Sequence, residues 1–350
     1  MSKYLLTSDQ HVHDWSAFRS VDADGVNSRL RIILNEMERA VKLAVKLGCT
    51  KHRMAGDLFH VRGSVKPSVL NPTVRAVQKW LEELVHECIA GNHDLEGRDA
   101  EALGNAMQVL DELNGFTAIV NVREYDDVVM FPWFADLDVL RAEMKRLADP
   151  DKDAIIHAPV NGVIKGIPDH GLEADELSEM GFKRVFSGHY HNHKVFCGGK
   201  VISIGATTHQ TWCDVDTRAG FLIVDEDTFE FHESEAPKFL DMDDETLAAL
   251  DRHDTPVADL VGGNYVRIKL DEVTDHEITE IREELEGAGA LGVRVIATKK
   301  REVTRLGVSR TASMTLEQTV AEYVSEHLKP DDVLAVQKAA QDVLIEARSR

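Results

Sequence analysis

The chain has 350 residues, 43% of them hydrophobic, and a formal net charge of −21. Length and apolar content allow one large domain and a smaller one. With no apolar run long enough for a bilayer and no signal-peptide layout in MSKYLLTSDQHVH, the expectation is a soluble, cytoplasmic protein with no membrane partner. The acidic balance excludes long-range recruitment of nucleic acid by the chain as a whole, so an enzyme of nucleic acid with this charge needs bound cations, a local basic patch or a basic partner.

Residues 4–8 read as a strand, and 26–47 as a long amphipathic helix stopped by Gly48. A second strand over 51–55 ends in Gly56-Asp57. Asn71-Pro72 resembles an N-cap followed by proline at the first helical position, and the helix would run to about residue 85. A strand over 87–90 ends in GNHD, and a helix is expected over 100–113. Short apolar strands follow at 128–131, 154–157 and 184–187. After His191 the strands come closely, at 194–196, 201–204, 221–224 and 229–232, with Gly198-Gly199 as a hairpin turn. The chain therefore begins as α/β and ends as a β meander.

The expected fold class is α/β, with two packed mixed sheets flanked by helices over residues 1–235. Residues 236–264 read as an acidic linker, with a short helix at 244–250. A small strand–helix–strand capping module follows over 265–300, its elements at 265–270, 275–285 and 293–298. Residues 301–350 are expected to form a basic linker and a helical tail. In that tail Thr315 and Gln318 form a capping box, Leu316, Val320, Tyr323 and Val324 make an apolar stripe, Pro330 breaks the run, and 333–347 is a second helix. Cys49, Cys88, Cys197 and Cys213 contain no CxxC pair and read as buried free thiols.

Five short segments each place metal-type ligands at the C-terminal end of an expected strand. They are Asp9-Gln10-His11, Gly56-Asp57, Gly91-Asn92-His93-Asp94, His157 and Gly188-His189-Tyr190-His191. The carboxyl edge of an α/β sheet is where ligands bind. Two divalent cations about 3.5–4 Å apart can hold the oxygens of a phosphodiester and activate water against it. One carboxylate can bridge both ions, while neutral histidine and an asparagine carbonyl fill the shells without repelling an anionic substrate. A shell of His, Asp and Asn without thiolate suits manganese, iron or zinc better than calcium. Individually these motifs are weak: DxH is common, a Gly-Asp after a strand is often a turn, and a lone histidine after a strand is usually structural. GNHD and GHYH are rarer, and the order of all five is what carries weight.

That ordered set resembles the calcineurin-like metallophosphoesterase superfamily. Within it, GDLFH at 56–60 followed by Lys66-Pro67-Ser68 is similar to the SbcD-type nucleases of double-strand-break repair, and the compact length is similar to phage-encoded recombination nucleases. The resemblance implies that Asp9, His11 and His191 bind a first metal, that Asn92, His157 and His189 bind a second, and that Asp57 bridges them. It implies that His93 assists the leaving oxygen in an in-line hydrolysis with no covalent intermediate. Asp94 would orient the local turn or a ligand imidazole, and His60 would either act near the phosphate or be structural. Manganese is the implied ion, with magnesium, iron or zinc as alternatives.

The resemblance further implies DNA as substrate, an SMC-like coiled-coil ATPase as partner, and a homodimer. The stripe of Leu316, Val320, Tyr323 and Val324 could dock in the ATPase, or pack on its own domain. Lys299, Lys300, Arg301, Arg305 and Arg310 could contact phosphates or be a solvated linker. His13 and His193 read as structural or surface residues, Thr207-Thr208-His209 as substrate rim or plain loop, and Trp133 and Trp212 as core or rim aromatics. A stand-alone phosphatase or a small or cyclic-nucleotide phosphodiesterase would use the same ligands, since the fold does not fix the substrate. A degenerate scaffold would require lost ligands, and none is lost.

Overall fold

Alternating strands and amphipathic helices assemble into two mixed sheets of six strands each, plus a third sheet of three. The computed structural model describes residues 3–60, 62–97, 104–243, 245–246, 256–270 and 273–297, together with Val336. The first half of the chain runs β1 (Tyr4–Thr7), α1 (Ser28–Lys46), β2 (Lys51–Met54), α2 (Pro67–Trp80), β3 (Val85–Ile89), α3 (Gln108–Asp111), β4 (Phe116–Ile119), β5 (Arg123–Glu124), β6 (Val128–Phe131), α4 (Leu137–Arg146), β7 (Asp153–His157), α5 (Ala174–Ser178) and β8 (Val185–Gly188). Then come β9 (Lys194–Phe196), β10 (Val201–Ser203), β11 (Gly220–Val224), β12 (Phe229–Glu233), β13 (Phe239–Met242), α6 (Val257–Val261), β14 (Tyr265–Leu270), α7 (Asp275–Gly287) and β15 (Gly292–Ala297). All of these elements lie in one compact unit, Met1–Lys299.

The first sheet has the order β12-β11-β1-β2-β3-β4 and the second β5-β6-β7-β8-β10-β9. Strands β1 to β4 are mutually parallel, as are β6, β7, β8 and β10. The parallel runs point all their carboxyl ends to one edge. The expected terminal meander is instead divided: β9 and β10 finish the second sheet, whereas β11 and β12 return to the first.

The layers follow from where apolar side chains fall. Leu6, Ile89 and Leu222 of the first sheet meet Met130, Ile155, Phe186 and Ile202 of the second in a shared core. The outer face of the first sheet packs on Leu30, Leu34, Met37 and Val41 of α1 and on Val69, Val77 and Trp80 of α2. The outer face of the second packs on Leu140 and Met144 of α4 and Leu177 of α5. The fold is thus the expected sandwich of two mixed sheets between helices. In α1 the buried positions recur at helical spacing, the Asn27 side chain caps the N-terminus by accepting from the Arg29 and Leu30 amides, and Gly48 follows its end at φ 83°.

The amino edges of the strands are held together by buried ions. Arg53 donates to Glu87 at 2.9 Å and to both oxygens of Asp127 at 2.8 and 2.9 Å, with its guanidinium 4.4 Å from the Tyr4 ring centroid. Arg184 makes the equivalent fork to Asp153 at 2.7 and 2.8 Å.

Several boundaries differ from the sequence expectation. Helix α2 begins at Pro67 and contains Pro72, whose missing amide removes one ladder bond a turn into the helix; it ends at Trp80, before β3 starts at Val85. In place of a helix over 100–113, only Gln108–Asp111 is α-helical among the described residues, and 98–103 lie outside them. Helices α4 and α5 and strands β4 and β5 were not expected. The acidic stretch 236–264 is not an irregular linker, because Phe239–Met242 pairs in parallel with β14 and Val257–Val261 is helical. The small module is therefore a parallel three-stranded sheet, β13-β14-β15, crossed by α7. It rests on the sandwich through Phe18 stacked on Tyr265 at 5.4 Å and Trp212 edge-on to Phe239 at 4.8 Å. Cys49 and Cys88 are buried free thiols, but Cys197 is half-buried and Cys213 exposed. No described helix is long and apolar enough to cross a membrane.

Two predictions follow from buried polar groups. Replacing Arg53 by Met strands Glu87 and Asp127, and chemical denaturation should show a loss of about 3–5 kcal/mol. A loss below 1 kcal/mol would mean the pair is solvated. The second concerns His52 and His86, whose Nδ1 atoms are 2.9 Å apart in the core. Burial pushes His86 down to about 4 and His52 well below 6.5. The unfolded chain takes up these protons near 6.5 and the folded chain does not, so stability is full above that pH and falls as pH drops below it, by up to about 1.4 kcal/mol per unit per histidine. In chelator, the stability difference between pH 7.5 and 5.5 should be smaller in His86→Phe than in wild type; an equal difference rejects this origin.

Candidate metal centre

The five ligand segments leave the carboxyl ends of β1, β2, β3, β7 and β8, so both large sheets contribute to one site. The loops after β1 and β2 run side by side: the Asp9 amide donates to Gly56 O at 3.1 Å, His11 to Asp57 O at 3.0 Å and Val12 to Leu58 O at 2.8 Å. Seven non-glycine residues have positive φ among those described, and four are expected ligands: Asp9 (52°), His11 (44°), Asp57 (55°) and His189 (103°). Each such conformation costs on the order of 1–3 kcal/mol and persists only where the surroundings impose it. Two glycines make the close approach feasible. A Cβ at Gly91 would lie 2.1 Å from Asp57 Oδ1, and one at Gly188 would lie 2.1 Å from Ser8 Oγ and 2.4 Å from Ala55 O.

The side chains gather into overlapping sets. Asp9, His11 and His191 form one, Asp57, His157 and His189 a second, and His11, His60 and His93 a third, each with ligand atoms within 4.8 Å of one another. Asn92 Oδ1 joins the second set, 3.2 Å from His157 Nε2 and 3.0 Å from His189 Nδ1. Asp57 Oδ2 stands 3.5 Å from His11 Nε2 and 3.4 Å from His157 Nε2, between the first set and the second. Asp9, His11, Asp57, Asn92, His157, His189 and His191 are thus brought together.

Hydrogen bonds fix the imidazoles. His157 Nδ1–H donates to Ala55 O at 2.7 Å, which turns Nε2 toward Asp57 and Asn92. His191 Nδ1 is bonded to Asp214 Oδ1 at 2.7 Å. His60 Nδ1 is 3.1 Å from His11 Nδ1, so it can accept the proton that leaves His11 Nε2 free for a cation. His93 donates from its amide to Asp57 Oδ1 at 2.8 Å and from Nδ1 to His60 O at 2.7 Å, leaving Nε2 available. Ser8 Oγ binds Asp9 Oδ2, which also accepts from the His189 amide at 2.9 Å.

The electrostatics call for cations. Asp9 and Asp57 are buried, and their ion pairs among the described residues are with histidine alone. Burial raises Asp9, whereas at Asp57 burial is outweighed by His157 and His11, which hold its carboxyl well below the usual range. Burial opposes a charge on His157, but Asp57 and Asp9 hold its imidazole up at about 9. Burial likewise opposes a charge on His191, and Asp214 raises it to about 9. Burial and the charge of His157 push His189 down to about 3. The buried carboxylates raise His157 and His191, so the cluster favours positive charge, which a divalent ion would supply. Ligands about 2.0–2.2 Å from a shared ion stand roughly 3–4 Å apart, which is the spacing found around Asp57 Oδ2. The donor set fits metal.

Asp94 has both oxygens engaged by backbone amides, of Phe59 at 2.8 Å and Gly91 at 2.9 Å, so it organises the turn around Asp57. Burial and then Asp57 push its carboxyl up to about 7. His13 packs against His60 and Trp15, while His193 is buried and stacked on Phe231 at 4.0 Å; both are structural. His209 is buried, accepting from the Phe239 amide at Nδ1 and contacting Thr217 O through Nε2. Trp133 stacks on His189 at 5.4 Å and is a rim aromatic. Sequence reasoning missed Asp214, Ser8 and Gln210, whose Nε2 donates to Asp9 O at 2.8 Å. Only Asp214 had a local signal, the capping box it forms with Thr211. Leu316, Val320, Tyr323 and Val324, and the basic residues 299–310, lie outside the described residues.

No protein-family model matches the chain, and no curated protein matches it. Among solved structures it is similar to a Pseudomonas putida nuclease named MPE, at 15% identity and a TM-score of 0.28, covering 65% of this chain and 87% of that one. A likeness at that TM-score carries no weight for the site, which stands on its own geometry.

Gly91→Ala tests the crowding around Asp57. The added methyl must displace Asp57, so the metal-free protein should lose about 1–3 kcal/mol of stability and Mn2+ affinity should fall with it. Unchanged affinity by calorimetry would show that Asp57 is not held by this contact.

Proposed function

We propose that the chain is a two-metal phosphoesterase, and more narrowly a DNA nuclease acting at duplex ends. The observation that carries the reading is Asp57 Oδ2, placed between His11 Nε2 and His157 Nε2 at 3.5 and 3.4 Å, so that one carboxylate serves two groups of ligands. Asp9, His11 and His191 are the residues for one ion, and Asn92, His157 and His189 for the other. Two bound ions supply charge neutralisation for the phosphodiester and activation of water. His93 is half-buried at the open side of the site, with Nδ1 tied to His60 O. In its imidazolium form, with Nδ1–H given to His60 O, it would pass the Nε2 proton to the leaving oxygen as the phosphorus–oxygen bond breaks. His93, His189 and His191 are the half-buried members of the set, so a substrate would reach the site over them.

The narrower reading rests on GDLFH at 56–60 with Lys66-Pro67-Ser68, the pattern of SbcD-type nucleases. In this chain that segment supplies His60, the partner of His11, and starts α2, with Pro67 at its first position. Manganese suits the nitrogen and oxygen donors. An SMC-like ATPase bound through the Leu316, Val320, Tyr323 and Val324 stripe, and a homodimer, complete the proposed assembly, with action in DNA repair or recombination. The charge favours a second reading, a stand-alone phosphatase or small phosphodiesterase. Residues 300–350 carry eight Lys or Arg and eight Asp or Glu, so the whole −21 belongs to residues 1–299, which hold the site.

Linear duplex DNA and bis-p-nitrophenyl phosphate, each with Mn2+, separate the two readings. DNA degradation should be abolished by Asp57→Asn and reduced about 10²–10⁴-fold in kcat by His93→Ala, with both variants folded. Hydrolysis of the small ester with DNA left intact, also after the ATPase is supplied, selects the small-substrate reading. Activity untouched by Asp57→Asn rejects both.

A further inference from the structure

We propose that Asp214 is a positioning residue for the metal site, fixing the tautomer and direction of His191, and that the turn carrying it is braced by the three-stranded module. The inference rests on the two-metal reading. Asp214 is 2% exposed and uses both oxygens for different tasks. Oδ1 accepts from His191 Nδ1 at 2.7 Å. Oδ2 accepts from the Gln210 amide at 2.8 Å and the Thr211 amide at 2.7 Å. One carboxylate thus closes the turn and presents Nε2 of a ligand imidazole to the ion.

The turn is fastened from both sides. Gln210 Nε2 donates to the carbonyls of Asp9 and Gln10 at 2.8 and 3.2 Å, which ties the turn to the backbone of another ligand. The Gln210 carbonyl accepts from Arg29 at 2.8 Å, and that guanidinium lies 5.0 Å from the Phe239 ring centroid and 4.7 Å from that of Tyr265. Phe239 and Tyr265 belong to β13 and β14, and the Phe239 amide donates to His209 at 3.1 Å. Trp212, inside the turn, packs edge-on to Phe239 with the Arg267 guanidinium 4.8 Å from its centroid. The module therefore meets the metal site through residues 209–214, not through a ligand of its own.

Asp214→Asn keeps side-chain size but exchanges one acceptor oxygen for a donor, so His191 and the turn amides cannot all be satisfied. In the full chain, Mn2+ titration followed by electron paramagnetic resonance should show one site weakened about 10–100-fold and the other near wild type. The melting temperature in chelator serves as the structural control. A variant that melts earlier yet binds both ions like wild type overturns the inference, because Asp214 then only forms a turn. Should the variant not fold, 15N-histidine-labelled wild type gives the same answer: His191 protonated at Nδ1 supports the inference, and protonation at Nε2 alone overturns it. A wild-type chain that binds no Mn2+ overturns the two-metal reading itself, an outcome distinct from equal binding by wild type and variant.

Discussion

A carboxylate that is 1% exposed, with no lysine or arginine paired to it among the described residues, stands where the two large sheets meet: Asp57. An isolated buried anion is so costly that a protein must neutralise it or protonate it. Here the surroundings are arranged for neutralisation. The His93 amide is aimed at Oδ1, two imidazoles are aimed at Oδ2, and Gly91 has no side chain to hold them off. The left-handed backbone at Asp9, His11, Asp57 and His189 is the local strain that this convergence imposes. Layering, strand direction and loop pairing all serve to bring ends of two separate sheets to that one oxygen.

The two ends of the sandwich solve the same electrostatic problem with different cations. At the amino edges, Glu87, Asp127 and Asp153 are paired with Arg53 and Arg184, whose charge is permanent. At the carboxyl edges, the ion pairs of Asp9, Asp57 and Asp214 among the described residues are with histidines, whose protons can leave. The first arrangement locks the sheets together and has no room for exchange. The second keeps a positive charge that a metal ion can replace. A substitution at the arginine end need not disturb the histidine end.

The gathering of the five segments was legible because they are short polar runs directly after apolar strands, and parallel strands must deliver such runs to a common edge. The helix α1 was legible through its long apolar stripe and Gly48. Other features were hidden by particular local conflicts. Pro72 suggested a helix start, yet sits a turn inside α2, where the ladder tolerates one lost bond. Helix α4 buries only Leu140 and Met144, too few to give a clear period in a ten-residue segment. Strand β13 is four residues in an acidic stretch, and its pairing with β14 spans residues far apart in sequence. The role of Asp214 was illegible for the same reason. The capping box marks its turn, but the bond to His191 crosses 23 positions and depends on two elements packed together.

The charge of the chain now has a physical place. A net −21 confined to residues 1–299 repels a polyanion as a whole, but salt screens exposed charges beyond about 8 Å at physiological ionic strength. What an approaching phosphate meets is then the local field. Around Asp57 that field is set by buried carboxylates and the histidines gathered on them, so an ion held there would shift it toward positive. With ions bound, the centre is an attractive spot in an acidic surface, and binding of an anionic substrate is coupled to binding of metal. Such a surface suits a phosphodiester that is engaged at one position, an end or a small molecule, better than one gripped along its length. A protein that must hold long DNA on this scaffold would need positive charge from elsewhere.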